Sequence, residues 1–151
     1  MSNKKLNKIF KTVCIASDHA GYKLKEDIKN YLIDKNLSIF DIGPFNEKSV
    51  DYPDYAKKLG HRIKLKRSDV GILVCGSGTG MAISANKIKS IRAAVCYNLR
   101  STRLSRQHNN ANIISLGSRL INKKLSFKLV EIFLNTKFEG GRHLKRIKKI
   151  Q

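Results

Sequence analysis

The chain contains Val70-Gly71-Ile72-Leu73-Val74-Cys75-Gly76-Ser77-Gly78-Thr79-Gly80, an apolar run that ends in a cysteine and three alternating glycines. Residues 70–75 predict a buried parallel strand, because nearly continuous apolar runs are typical of strands covered on both faces. Residues 81–86 predict the first turns of a helix. The glycines between them let successive backbone N–H groups point into one concavity before the helix N-terminus, which favours bound anions. The segment therefore predicts a strand, an anion-binding turn and a helix.

Cys75 stands at the C-terminal end of this predicted strand, where open α/β sheets bind their ligands. The positive potential of the turn favours thiolate over thiol, so Cys75 is a candidate base or nucleophile. Buried cysteines beside tight turns are also common in strands. The residues alone leave both interpretations open.

Apolar runs alternate with helical patterns along the whole chain, which is typical of a parallel sheet with covering helices. Amphipathic faces such as the one formed by Leu24, Ile28 and Leu32 predict the crossover helices. We predict five strands, at residues 12–17, 37–42, 70–75, 93–97 and 112–116.

Length and cysteine content limit the class of protein. A chain of 151 residues with 41% hydrophobic residues can bury one good core, so we expect one domain. Its three cysteines form neither a disulfide framework nor a Cys-x-x-Cys metal spacing, which favours a reducing cytoplasm. We expect no signal peptide and no membrane span. Residues 1–11 are expected to be a basic extension, residues 12–138 the folded domain and residues 139–151 a basic C-terminal segment.

The net charge is strongly positive, with 31 Lys and Arg against 11 Asp and Glu, a formal charge of +20. A basic nucleic-acid-binding module is one interpretation. Against it, the lysines are dispersed and the aromatic residues show no base-stacking pattern. Residues 70–130 contain no Asp or Glu but ten Lys and Arg. A site built from this half of the chain should attract anions and cannot supply its own carboxylate.

Several polar residues follow or precede the predicted strands. Asp18 and His19 follow the first strand and are expected at the same sheet edge as Cys75; a helix cap beside a surface histidine is the alternative. Residues 51–54 fit a loop and a helix start. His108, in a polar segment before the fifth strand, is a candidate for proton transfer, although the asparagines around it are common turn formers.

Two arginines near the C-terminus have the spacing of one helical face. Arg142 and Arg146 are four residues apart and could hold one phosphate together. A solvated basic tail is the alternative interpretation.

Other phosphate-binding and metal-binding classes are disfavoured. Met81 and Ala82 stand where a nucleotide P-loop needs Lys and Ser or Thr. A dinucleotide fold needs an acidic residue about 20 positions after the glycines, and the acid-free half of the chain lacks one. The histidines and cysteines lack paired zinc-ligand spacing.

Seven segments, in this order, resemble type B ribose-5-phosphate isomerase, and they span most of residues 12–147. They are Asp18-His19-Ala20-Gly21-Tyr22-Lys23-Leu24-Lys25, Asp51-Tyr52-Pro53, Gly71–Gly80, Ala85-Asn86-Lys87, Ser105-Arg106-Gln107-His108-Asn109, Leu116-Gly117-Ser118-Arg119 and Glu139-Gly140-Gly141-Arg142-His143.

The resemblance implies a Rossmann-like three-layer sandwich, with a five-stranded parallel sheet covered by helices on both faces. It further implies a cytoplasmic homodimer with the active site at the subunit interface, and leaves open whether dimers pair into tetramers. No metal and no cofactor are expected, and neither nucleic acid nor membrane is an expected partner. The implied activity interconverts D-ribose 5-phosphate and D-ribulose 5-phosphate through a cis-enediolate, in the non-oxidative pentose phosphate pathway.

The same resemblance implies roles for single residues. Cys75 would be the base that moves a proton between C2 and C1 of the open-chain sugar. Some relatives use a Glu just after the glycine loop instead; here Met81 stands at that position, so the chain is similar to the cysteine branch. His108 would be the acid that opens the furanose ring.

The remaining implied positions bind the substrate. Those expected to contact the sugar are Asp18, His19, Tyr52, Gly76, Ser77, Gly78, Thr79, Gly80 and Asn109. Those expected to contact the phosphate are His19, Arg119, Arg142 and Arg146, the last two within the segment 139–151 that would pack on the partner subunit. Ser77 replaces a threonine common in the family and keeps its hydroxyl. An isomerase of allose 6-phosphate or galactose 6-phosphate, which would share the fold and the loop, is the nearest alternative.

Overall fold

The sheet has five parallel strands in the order β2-β1-β3-β5-β4. The structure is a computed structural model that describes residues 9–150. Most of the expected extension at residues 1–11 and the last residue of the expected segment 139–151 therefore lie outside the described residues. The strands are β1 (Thr12–Ser17), β2 (Ser38–Gly43), β3 (Val70–Cys75), β4 (Ala93–Val95) and β5 (Ile113–Gly117).

Helices connect successive strands and cover both faces of the sheet. They are α1 (Tyr22–Asp34), α2 (Tyr52–Lys64), α3 (Thr79–Asn86), α4 (Leu99–Gln107), α5 (Lys123–Asn135) and, at the C-terminus, α6 (Arg142–Ile147). In this described part of the chain no helix is both long and apolar enough to cross a bilayer.

Alternate residues of β1 divide the core into two layers. Val13 and Ile15 pack in the cluster that contains Phe133 of α5 and buried residues of α1. Cys14 and Ala16 face the opposite way, into the cluster formed with α2 and α3. Because side chains alternate across a strand, this division buries both faces of the sheet. The predicted three-layer α/β sandwich is confirmed.

The predicted strand limits differ from the observed limits only at the ends. β1 and β3 match, whereas β2 begins after Leu37, whose N–H bonds the carbonyl of Leu32 and so belongs to the end of α1. β5 extends to Gly117, which pairs with Cys75 of β3. β4 is shorter than predicted: it pairs only with β5, and the register ends at Val95.

The C-terminal segment attaches to the end of α4. The N–H of Glu139 donates to the carbonyl of Gln107 at 3.0 Å, and His143 is the buried residue of α6. Leu144 and Ile150, which lie on one three-residue repeat, are 43% and 56% exposed. Positive φ angles at Gly140 and Gly141 set the direction of α6, and this direction turns His143 rather than Leu144 toward the subunit.

A lysine is completely buried between α1 and β2. Lys25 Nζ lies 2.8 Å from a carboxylate oxygen of Asp41 and 2.9 Å from Glu26. Lys29 also pairs with Asp41, at 2.8 Å. Burial alone would raise the pKa of Asp41, but hydrogen bonds from Lys25, Lys29 and the Gly43 N–H outweigh it and hold this pKa below its usual range. The network ties the first crossover helix to the edge strand.

Candidate active site

A cleft of about 510 Å³ opens at the C-terminal edge of the sheet. Its volume suits a small organic ligand. Its walls come from the ends of β1 and β3, the start of α2, the glycine turn with α3, and the segment after β5. The lining residues are Asp18, Tyr52, Cys75, Gly76, Ser77, Thr79, Gly80, Ile83, Arg119 and Leu120.

Cys75 lies at the bottom of this cleft with 4% of its surface exposed. The N–H of Gly78 donates a hydrogen bond to its Sγ, with nitrogen and sulfur 3.1 Å apart. Gly78 reaches this position with a φ of +78°, a left-handed conformation that suits glycine. Because α3 begins at the next residue, the positive end of its dipole faces the same region. Both features stabilise negative charge on the sulfur.

The other two thiols have different surroundings. Burial raises the pKa of Cys14 to about 11 and raises the pKa of Cys96 as well. Both therefore stay protonated at neutral pH and are structural residues of the core. Cys75 is the cysteine that the cleft exposes to a ligand.

Asp18 and His19 follow β1, at the edge expected for them. Asp18 is buried, and its Oδ1 accepts the N–H of Gly21 at 2.9 Å, so this carboxylate shapes the turn before α1 while it lines the cleft. The Nδ1 of His19 accepts the N–H of Val50 at 3.2 Å. In a neutral imidazole the proton then sits on Nε2, which makes that nitrogen a donor.

Tyr52 and Arg119 complete the rim of the cleft by packing on two of its glycines. A Cβ on Gly80 would lie 2.7 Å from ring atoms of Tyr52, and a Cβ on Gly76 would lie 3.0 Å from a guanidinium nitrogen of Arg119. The Arg119 N–H also donates to the carbonyl of Gly76 at 3.1 Å. The guanidinium is thus held beside the glycine turn, where it adds positive charge.

Four of the expected site residues lie near the N-terminal ends of the strands, at the edge of the sheet opposite the C-terminal ends that carry Cys75. Cys75 pairs with Gly117 at the end of β5, whereas His108 precedes Ile113 at its beginning. The rise of an extended strand separates those two ends by about 13 Å. The residues at this second edge are His108, Asn109, Arg142 and Arg146.

His108 stacks on His143, with ring centroids 4.2 Å apart and planes 14° apart. An oxygen of Glu139 lies 3.9 Å from Nε2 of His108 and 3.5 Å from Nε2 of His143. Partial desolvation lowers the pKa of His143, and positive charge on His108 and Arg142 lowers it further. Protonation of His143 is therefore disfavoured.

The same three side chains have metal-ligand chemistry: potential ligand atoms of His108, Glu139 and His143 all lie within 4.8 Å of one another. A zinc ion would need imidazole nitrogens about 2.0–2.1 Å away that converge on it. Nitrogen lone pairs lie in the ring planes, and here the planes are nearly parallel. The arrangement fits two imidazoles that share a carboxylate better than a metal centre.

Sequence analysis missed several residues that support the glycine turn beside Cys75 or contact His108. Tyr97 donates its hydroxyl to the carbonyl of Ser77 at 2.8 Å, and Ser115 Oγ donates to the carbonyl of Gly78 at 2.6 Å. Tyr97 ends a predicted strand at the edge that carries Cys75, and this position was a usable signal. Nothing in the spacing of Glu139 and His143 indicated their contact with His108.

The comparisons with known proteins agree in assigning one family. The model of the Ribose/Galactose Isomerase family matches residues 13–150. A relative from Rickettsia conorii, which carries the provisional name of a sugar phosphate isomerase, is 48% identical over 139 residues and covers 92% of this chain and 96% of its own.

Two solved structures share the fold over nearly the full chain. The ribose 5-phosphate isomerase of Thermotoga maritima superimposes with a TM-score of 0.91 at 52% identity, covering 92% of this chain and 96% of its own. Ribose-5-phosphate isomerase B from Mycoplasma genitalium, solved with bound ribulose-5-phosphate, has a TM-score of 0.87 at 41% identity and covers 92% and 93%. The chain that carries this cleft therefore belongs to the ribose/galactose isomerase family.

Proposed function

We propose that this protein is an aldose-ketose isomerase that interconverts D-ribose 5-phosphate and D-ribulose 5-phosphate. The observation that carries the proposal is the position of Cys75, whose sulfur accepts a backbone N–H at the floor of a cleft that Arg119 also lines. Family membership and the sugar phosphate bound by the Mycoplasma genitalium structure support the substrate class.

In the proposed reaction, the Cys75 thiolate removes the proton from C2 of the open-chain aldose and returns it to C1. The electron pair of the broken C2–H bond forms the enediolate, and the former aldehyde oxygen takes up a proton as the C2 hydroxyl loses one. Within residues 76–80, the N–H of Gly78 is directed to the Cys75 sulfur and that of Thr79 to Ser77 Oγ. The other backbone N–H groups of this turn would stabilise the developing negative charge. They act on charge that is absent from the ground state, and such interactions raise the rate rather than only tightening binding.

The phosphate is assigned to the basic residues. Arg119 and His19 lie at the edge of the sheet that carries Cys75, and Arg142 and Arg146 would add two guanidinium groups. Held at its phosphate end, the sugar would present its reacting carbons to the sulfur, with its hydroxyl groups near Asp18. Binding energy spent on a remote phosphate in this way lowers the entropic part of the barrier.

A second copy of the chain would complete the site, and we therefore propose a homodimer. Within one subunit, His108 and Arg142 lie at the edge opposite Cys75, so an interface is the means of bringing them together. Around the cleft, Ile83 and Leu120 are both 58% exposed, which favours a contact there. In this assembly the end of α4 and the attached segment 139–151 would together reach the partner's cleft, and His108 would open the sugar ring.

The test is a coupled assay of the purified protein against ribose 5-phosphate, allose 6-phosphate and galactose 6-phosphate. We expect turnover of the pentose phosphate at the highest kcat/KM. Preference for a hexose phosphate would reassign the substrate within the family, and absence of turnover with all three would reject the proposal.

Three buried free thiols also favour a reducing compartment, which we take to be the cytoplasm.

A further inference from the structure

We propose that Tyr97 is a positioning residue for Cys75 and acts through the peptide bond between Ser77 and Gly78. The inference rests on the proposed function. The Tyr97 hydroxyl donates to the carbonyl of Ser77 at 2.8 Å. The N–H of the same peptide unit, contributed by Gly78, donates to the Cys75 sulfur at 3.1 Å.

The two hydrogen bonds are coupled because they share one delocalised group. In a trans peptide the carbonyl and the N–H point in opposite directions and exchange electron density through the partial C–N double bond. A donor at the oxygen withdraws density from the nitrogen and strengthens its N–H as a donor. Such cooperativity is worth about 10–30% per bond. Tyr97 therefore increases the stabilisation of negative charge on Cys75 without touching the sulfur.

The peptide between Ser77 and Gly78 is fixed in place from other sides as well. A Cβ on Gly117 would lie 2.8 Å from the carbonyl carbon and oxygen of Ser77, so the end of β5 packs directly against this unit. Ser115 Oγ holds the following carbonyl, that of Gly78, at 2.6 Å. These two contacts hold the glycine turn without Tyr97, and this leaves the Tyr97 hydroxyl an electrostatic role rather than a purely structural one.

The location of Tyr97 supports an electrostatic rather than a structural role for its hydroxyl. It follows the edge strand β4, and its hydroxyl reaches past β5 to the turn after β3. Its side chain is only partly buried, with 39% of the residue exposed, so the ring contributes little to the core. Loss of the hydroxyl should change the sulfur more than the fold.

The experiment compares Tyr97→Phe with wild type in two assays. We expect kcat for ribose 5-phosphate to fall by about 1.3-fold to fivefold, the effect of losing 10–30% of one hydrogen bond to a charged group, with KM unchanged. In a second assay that needs no sugar, iodoacetamide modifies Cys75 over a range of pH, and peptide mapping gives the rate. The rate profile of Tyr97→Phe should move to higher pH. Asp18, Tyr52 and Arg119 face Cys75 in the cleft and are retained in every variant.

The matched control is Tyr31→Phe, which removes a hydroxyl that bonds Glu131 on the other face of the sheet. Its kcat and alkylation profile should equal those of wild type. A Tyr97→Phe protein with an unchanged profile and unchanged kcat would overturn the inference. If wild type lacks isomerase activity, the proposed function fails, yet the alkylation profiles still decide the role of Tyr97.

A second variant keeps the Tyr97 hydroxyl in place and changes only its strength as a donor. Replacing Tyr97 alone by 3-fluorotyrosine keeps the shape of the side chain and makes its hydroxyl a stronger donor. The alkylation profile should then move to lower pH, opposite to Tyr97→Phe. A purely structural tyrosine would leave the profile in place, and that result would contradict the inference.

Discussion

The N–H of Gly78 points at the sulfur of Cys75 from 3.1 Å, at the junction where β3 ends and α3 begins. A strand that ends in cysteine thus delivers the proposed base, and the residue that caps the next helix delivers the N–H that would stabilise its anion. The two groups are separated by two residues, so the geometry is local and follows directly from the glycine pattern.

Cys75→Ala should abolish isomerisation while sugar phosphate binding remains. Loss of the proton-transferring group is expected to lower kcat by at least about 1000-fold. Because the groups assigned to the phosphate are unchanged, titration calorimetry should still detect ribose 5-phosphate. The matched control is Cys14→Ala, which removes a buried thiol that does not line the cleft and pairs with Gly71, four residues before Cys75. Near-normal turnover by Cys75→Ala would show that another group is the base.

Arg142→Ala should raise KM for ribose 5-phosphate with a much smaller change in kcat. An arginine–phosphate pair is charge-assisted, and losing it is expected to raise KM by about tenfold to a hundredfold. Lys145→Ala, an exposed neighbour on α6, is the control for general loss of positive charge and should leave KM unchanged. Equal KM values for Arg142→Ala and wild type would remove Arg142 from the phosphate site.

The buried Lys25 predicts a defect in stability. In Lys25→Met the partly buried carboxylate of Asp41 loses one partner, and breaking such a pair is expected to cost about 3 kcal/mol in the free energy of unfolding. Urea denaturation measures this free energy. Lys29→Met, which removes a more exposed partner of the same carboxylate, should cost no more than about 1 kcal/mol. Equal losses in the two variants would contradict the importance of burial at Lys25.

The same network predicts how stability depends on pH. The pKa of Asp41 is lower in the folded protein than its ordinary value, so the unfolded chain takes up a proton first as pH falls. The stabilisation is complete above the unfolded pKa of about 3.9 and is lost as pH falls through the folded pKa. In Lys25→Met the folded pKa of Asp41 should rise, and acid unfolding, followed by circular dichroism, should begin at higher pH.

The sequence predicted β3, its cysteine and the anion-binding turn because these features depend only on neighbouring residues. Lys25 of α1 could not be predicted as buried, since its partner Asp41 lies on β2 and is brought close only by the fold. Tyr97 illustrates the same limit: it follows β4, and only the sheet order β3-β5-β4 places its hydroxyl on the turn after β3.

The C-terminal segment shows a different reason for incomplete prediction. Leu144, Ile147 and Ile150 repeat every three residues, yet the contact within the subunit is made by His143, which stacks on His108. Left-handed glycines set that orientation, and the sequence pattern alone does not specify which face they turn inward. Apolar residues that pack against a second subunit would also be exposed in a single chain.

The division of the proposed site between two sheet edges predicts complementation between inactive variants. Cys75→Ala and His108→Ala should each be severely impaired as homodimers, because every site lacks one group. In a mixed dimer, one of the two sites would combine Cys75 from the His108→Ala chain with His108 from the Cys75→Ala chain. Random pairing makes half of the dimers mixed, so co-expression should restore about a quarter of wild-type kcat.

A negative control for this experiment pairs two changes at the same edge. Cys75→Ala mixed with Asp18→Ala leaves every site with one defect, because both residues belong to one subunit's cleft, and no activity should return. Differently tagged chains allow mixed dimers to be isolated before assay. If isolated mixed dimers of Cys75→Ala and His108→Ala stay as inactive as their parents, then His108 does not reach the partner's cleft. The ring-opening step would then need a donor from the cleft itself, where Asp18 and Tyr52 already face Cys75.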